Sequence, residues 1–237
     1  MREDPIFSHL FAFVLSKPSS IERPAPRLHI QALRTRFVVL IHPEGVACMT
    51  LSELMGTLRF LKDAEMLKDT LRTAYTRSGK QESTAEHTWR LCLMAMVYED
   101  ELQGIDFAKL LKICLIHDLG EAISGDIPAV LQRPGLSKSG QERQDLQTLL
   151  ASLPAERQER FLALWDEYEN GSSPEAKLAK GLDKLETILQ HNQGLNPPDF
   201  DYGFNLNYGR QYTSAHPLLA AIREQLDEET ERRTVAH

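Results

Sequence analysis

The chain has 237 residues, 42% hydrophobic and 26% charged, with a formal net charge of −7. That length suits one domain of ordinary core size, or one domain with an extension. The acidic balance gives no ground for general affinity for nucleic acid or an anionic membrane, and no apolar run approaches the ~20 residues that span a bilayer.

Residues 1–50 are broken by Pro18, Pro24 and Pro26 and dotted with Arg27, Arg34 and Arg36 without helical period, which predicts a poorly ordered extension. Arg36 to Ile41 has strand character but no evident partner strand downstream. The patch from Ile6 to Leu15 is short, follows acidic residues and lacks a cleavage site, so no signal peptide is expected. Cys48, Cys92 and Cys114 are widely spaced, and the last two sit in apolar helical patterns. They read as buried thiols of a reducing compartment, hence a cytoplasmic protein.

From Ser52 the pattern turns helical. Leu54, Leu58, Leu61 and Leu67, with Met55 and Phe60, predict an amphipathic helix that ends near Tyr75. A polar loop, 76–82, separates it from Ser83-Thr84-Ala85-Glu86, which fits a capping box with Ser83 as N-cap. In the helix that follows, His87, Leu91, Met94 and Tyr98 share one face. A histidine therefore lies on a core-facing stripe.

Asp106 is the expected N-cap of a central helix running to about Ser124, with Gly125 as its stop. On it Leu110, Cys114, His117 and Glu121 form one stripe, and Leu111, Leu115, Asp118 and Ala122 the neighbouring one. A lone histidine on such a stripe is usually a satisfied core residue. An adjacent His-Asp pair with a Glu one turn on is harder to bury, and a metal ion is the most economical partner for it. Residues 132–140 read as a surface loop, and Glu142–Leu153 and Pro154–Tyr168 as two helices with Trp165 and Tyr168 in packing roles. Ser172 or Ser173 before Pro174 starts another helix, whose buried stripe is Leu178, Leu182, Leu185 and Leu189. Asp183 stands beside that stripe as a further buried acid. Residues 192–212 are loop-like and aromatic, with a packing or dimer role, and Pro217 to Arg233 closes the chain as an amphipathic helix. The reading is all-α: a single helical bundle over 51–235 behind an extension over 1–50.

His87, His117, Asp118 and Asp183, from three separate helices, ask for one explanation. Two imidazoles and two carboxylates without thiolate suit one divalent ion (Mn, Co, Fe, Ni or Mg) better than a structural zinc. Four protein ligands leave one or two positions for water, which is the arrangement of a hydrolase.

The order His87 … His117-Asp118 … Asp183 resembles the HD-domain metal-dependent phosphohydrolases. Glu-Ser-Thr-Ala-Glu-His (82–87), His-Asp-Leu-Gly-Glu (117–121), Gly-Asp-Ile-Pro (125–128) and Leu-Asp-Lys-Leu-Glu (182–186) look most like the 5′-deoxynucleotidase branch, over residues 52–233. The resemblance implies a helical homodimer that removes phosphate from deoxynucleoside 5′-monophosphates, with a small nucleotide and no nucleic acid or membrane as its partner. It implies metal ligation by His87, His117, Asp118 and Asp183, and catalytic roles for Glu121 and Asp126. Physically, Glu121 can orient water beside the doublet, and Asp126 can protonate a leaving oxygen if its pKa is raised. Arg72 and Arg77 match the family's upstream arginines, and Lys184 adds a cation next to Asp183; all three are candidates for holding phosphate. The branch usually places a Trp just after the upstream Arg, where this chain has only Tyr75. A reduced preference for deoxy over ribo sugars is therefore expected, and weak base preference, since no residue is evidently placed to read a base edge. Two other readings compete: an HD phosphohydrolase of triphosphates or cyclic nucleotides, and a catalytically silent nucleotide-binding module. Few basic residues argue against the first, and the intact ligand set with two further acids against the second.

Overall fold

The computed structural model describes residues 37–42, 45–126 and 138–236, all within the unit that begins at Arg36. Strand β1 (Phe37–His42) pairs antiparallel with β2 (Gly45–Thr50), Phe37 lying opposite Thr50. The strand expected near Arg36 therefore does have a partner in β2. It was missed because the partner follows almost at once in sequence, where a turn had to be inferred without an Asn-Gly or Asp-Gly signal. The expected disorder of residues 1–36 lies outside the described residues.

Thr50 then caps α1 (Leu51–Asp63). Its hydroxyl accepts from the Glu53 N–H at 3.0 Å, and the Glu53 carboxylate accepts from the Thr50 N–H at 2.7 Å. Thr50→Ala should cost about 1 kcal/mol, seen as a thermal midpoint lowered by about 2–4 °C. An unchanged midpoint would mean that packing alone holds this helix end.

Helix α1 is shorter than its leucine repeat predicts. A 3₁₀ turn (Ala64–Lys68) follows, and the chain then runs extended as β3 (Leu71–Tyr75), paired with β4 (Gln81–Ser83). Thr70, Thr73 and Tyr75 favour extended chain over helix. The expectation of a helix to Tyr75 fails there, and so does that of no strand beyond the N-terminus. Ser83 and Glu86 form the anticipated capping box of α2 (Thr84–Val97).

Asp106 caps α3 (Phe107–Ile116) as expected, but the helix stops at His117. Residues 117–120 make a turn, and α4 (Glu121–Ser124) restarts beyond it. Gly120, in this turn, has no room for a side chain. It lies so close to α5 (Lys138–Leu150) that a Cβ there would sit 2.6 Å from the Glu142 carbonyl oxygen. The remaining helices are α6 (Ala155–Asn170), α7 (Pro174–Gln193), the short α8 (Arg210–Thr213) and α9 (Pro217–Ala236).

Helix α7 is the hub, started by Ser173, whose hydroxyl accepts from the Ala176 N–H, with Pro174 in the first turn. Its Leu178, Leu182, Leu185 and Ile188 pack with Leu91 and Ala95 of α2, Leu110, Ile113 and Cys114 of α3, and Leu219 and Leu226 of α9. Each such leucine contributes about 1.5–3 kcal/mol of burial. A second cluster joins Phe60, Ile116, Leu146, Leu150 and Trp165 across α1, α3, α5 and α6. No helix among the described residues is long and apolar enough to cross a membrane. Charged side chains buried on α7 among those leucines need an explanation, and they lead to the site.

Candidate metal centre and its cavity

His87 lies in the first turn of α2, His117 and Asp118 in the turn after α3, and Asp183 in the middle of α7. Their donor atoms close into a ring. His87 Nε2 is 3.2 Å from Asp183 Oδ1 and 3.8 Å from Asp118 Oδ2, while His117 Nε2 is 3.0 Å from Asp118 Oδ2 and 3.9 Å from Asp183 Oδ1. Both imidazoles are buried, and neither Nε2 makes a hydrogen bond of proper geometry. Two orphaned nitrogens facing two carboxylate oxygens at these spacings fit a cation with ligand bonds of about 2.0–2.2 Å. His117 and Asp118 lie at the end of α3, where the chain leaves the helix for a turn. From there both side chains reach the same point.

Each donor is held from behind. His117 Nδ1 donates to the Cys114 carbonyl at 2.8 Å, which leaves Nε2 for the centre, and Trp165 Nε1 donates to the His117 carbonyl at 3.0 Å. The second oxygen of Asp183 accepts from Tyr168 Oη at 2.9 Å and Lys184 Nζ at 2.8 Å, so Oδ1 is the one presented. Trp165 and Tyr168, expected only to pack, thus orient the site. His87 Nδ1 is bonded to Glu186, whose other oxygen accepts from Arg90 Nε at 2.6 Å. The sequence reading missed Glu186 and Arg90 as partners of His87. Glu186 stands one helical turn past Asp183, and that spacing was the available signal.

The electrostatics agree. Burial and the Arg72 charge press His87 toward its neutral form, but Glu186 and Asp183 outweigh them and lift its pKa to about 10. Burial disfavours the Asp118 and Asp183 carboxylates, yet His117 beside the first, and Lys184 and His87 beside the second, hold both below the usual carboxylate range. Two fixed anions demand positive charge at the ring's centre, from a proton or a metal ion. Glu82, His87 and Glu186 form another close trio. There the His87 Nδ1 is already paired and Arg72 and Arg90 supply the charge, while burial and the Glu186 charge raise Glu82 to about 7. It needs no ion. Glu186→Gln should weaken metal binding about 10–100-fold, measured by competition with a chelating dye. Unaltered affinity would remove Glu186 from the account of the site.

A cavity of about 800 Å³ opens over the centre. Glu121 and Asp126 both line it, and Glu121 is buried with Thr84 Oγ1 donating to its Oε2 at 3.1 Å. Arg72 reaches it from β3, with Nη2 donating to Thr187 Oγ1 at 3.0 Å and Nη1 3.7 Å from Asp118 Oδ2. Lys184 lines it too, pressed in by Gly209, where a Cβ would come within 2.5 Å of the lysine Cγ. Burial opposes the Lys184 charge, but Asp183 outweighs it and raises the pKa. Arg77 is not brought to the site. It is exposed on the turn between β3 and β4 and is not among the residues lining the cavity. The aromatic segment 192–212, expected to serve packing or dimerisation, supplies Phe200, Phe204 and Tyr208 to the cavity wall.

A helical bundle that gathers nitrogen and oxygen donors beside a cavity, with cations next to them, is the framework of a metal-dependent phosphohydrolase. The chain belongs to the HD domain family, which matches residues 64–223. It is 36% identical to the 5′-deoxynucleotidase HDDC2 of Mus musculus over 140 residues, 58% of this chain and 69% of that protein. It is 32% identical to the protein of that name from Danio rerio over 185 residues, 76% of this chain and 90% of the relative. Among solved structures, a predicted metal-dependent phosphohydrolase from Magnetospirillum magnetotacticum MS-1 superposes with a TM-score of 0.66 at 25% identity, covering 78% of this chain and 95% of that one.

Proposed function

We propose that this chain is a metal-dependent 5′-deoxynucleotidase that releases inorganic phosphate from deoxynucleoside 5′-monophosphates. The observation that carries this reading is the meeting of two imidazole nitrogens and two carboxylate oxygens at one end of a cavity where Arg72 and Lys184 also lie. The relatives named 5′-deoxynucleotidase support the substrate class. His87, His117, Asp118 and Asp183 hold one divalent ion, of Mn, Co, Fe, Ni or Mg. Bound there, such an ion supplies Lewis acidity toward water and the phosphoryl oxygens.

The chain's own side chains do the rest. Arg72 and Lys184 hold the non-bridging phosphoryl oxygens as charge redistributes. Glu121 takes the proton of the attacking water as its oxygen bonds to phosphorus. The bond from phosphorus to the 5′-oxygen breaks, and Asp126 gives that oxygen its proton. One acid and two cations suit a terminal monophosphate, whereas a triphosphate would need more positive charge along its length. Tyr75 lines the cavity on the β3 side, so it is placed to bear on the sugar and to give a reduced deoxy preference.

The working unit is residues 51–235, in the cytoplasm, where the free thiols Cys92 and Cys114 stay reduced. It acts as a homodimer through the exposed apolar stripe Trp89, Leu93, Met96 and Val97 of α2. Light scattering after size exclusion checks this: the wild type should be a dimer and Trp89→Glu a monomer, and a monomeric wild type would end the dimer reading.

The activity test is a phosphate-release screen over deoxy- and ribonucleotides with Mn²⁺, Co²⁺ and Mg²⁺, and EDTA as control. Deoxynucleoside 5′-monophosphates should be the best substrates, and EDTA should silence the reaction. Turnover confined to triphosphates or cyclic nucleotides would reject the proposed substrate and leave the family intact.

A further inference from the structure

We infer that the nucleobase lies against Phe200 and Phe204 at the far end of the cavity, and that stacking there makes a base of any kind a requirement for efficient turnover. This rests on the monophosphatase reading above and adds to it which part of the substrate the enzyme grips besides phosphate.

Helix α7 sets the distances. Asp183, Thr187 and His191 follow at i, i+4 and i+8, and all three line the cavity. Eight residues of helix rise about 12 Å. Asp183 marks the metal end, Thr187 receives the Arg72 guanidinium one turn on, and His191 marks the other end. A nucleotide with its phosphate between Arg72 and Lys184 has room to extend its sugar past Thr187 and its base toward His191.

What stands there is aromatic. The Phe200 ring meets the His191 ring edge-on, with centroids 4.9 Å apart, and meets the Tyr202 ring, also at 4.9 Å. Phe204 lies 5.2 Å from Tyr208, whose ring in turn is 5.2 Å from Lys184 Nζ. So one file of rings runs from the phosphate-holding lysine and another from the far end of α7, and Phe200 and Phe204 carry them to the cavity wall. Both phenylalanines are half-buried, which keeps them fixed while leaving part of each ring open.

The charges at this end favour a base over more phosphate. Asp199 and Asp201 line it, and both would repel a polyphosphate. Burial pushes His191 down to about 4, so it offers a neutral ring instead of a cation. Every base has a π-face, so stacking accepts all of them.

The test uses the metal-loaded full chain and compares deoxynucleoside 5′-monophosphates of all four bases with 2-deoxyribose 5-phosphate, which keeps the reacting groups and lacks the base. We expect the four nucleotides to agree within a few-fold and the sugar phosphate to show kcat/KM at least about tenfold lower, mostly through KM. Phe204→Ala should shrink that ratio toward one, and Phe204→Trp should preserve it. Because a ratio within one preparation is read, a partly folded variant does not disturb the result. Equal kcat/KM for sugar phosphate and nucleotides in the wild type would overturn the inference while leaving the monophosphatase intact. Absence of phosphate release from every one of these compounds would overturn both.

Discussion

A His117→Ala variant is expected to lose its divalent ion and its turnover together, with phosphate release falling to the background of an EDTA-treated sample. His117 holds its ring between the Cys114 carbonyl and the centre, so its removal takes one nitrogen donor out of the ring. The remaining donors would be one histidine and two carboxylates, and the carboxylates would be left with less to neutralise them. Metal analysis after desalting, run beside the phosphate assay, reads both losses. Wild-type metal content in this variant would place the ion elsewhere and undo the ligand assignment. The fold should survive, since the hydrogen bond donated by the Trp165 indole goes to the His117 backbone carbonyl and does not depend on the His117 side chain.

Glu121→Ala is expected to separate what His117→Ala joins. Glu121 lies at the start of α4, beside the metal-holding turn rather than in its ring, and Thr84 fixes its carboxylate toward the cavity. Removing it should lower kcat about 10²-fold or more, while most of the metal is retained. If metal content falls in step with activity, Glu121 supports the ligands and some other group takes the proton.

The parts of this protein that were legible in advance share a physical feature: they repeat along a helix or cap one. The capping box at Ser83 and Glu86, the cap at Asp106, the Pro174 start and the leucine stripe of α7 all appear where the spacing placed them. The candidate ligands were legible too, because ionisable side chains on apolar stripes stand out against their surroundings. What failed was everything decided by tertiary contact. Leu71 to Tyr75 is a strand because β4 returns to pair with it, and the leucine spacing of α1 carries no trace of that. The stop after Ile116 leaves no mark in the stripe that runs on through His117 and Glu121. Arg77 was favoured by its position upstream of His87, yet a turn carries it to the surface. Phe200 and Phe204 sit in a segment without apolar periodicity, and only the packing around α7 brings them to the cavity.

The most direct test of the central claim is the position of a metal ion, located by anomalous diffraction at the metal edge from crystals grown with Mn²⁺ or Co²⁺. The account predicts one strong peak within about 2.0–2.5 Å of His87 Nε2, His117 Nε2, an Asp118 oxygen and Asp183 Oδ1. A peak on the Nδ1 side of His87 between Glu82 and Glu186, or one that leaves Asp183 beyond bonding distance, would contradict it.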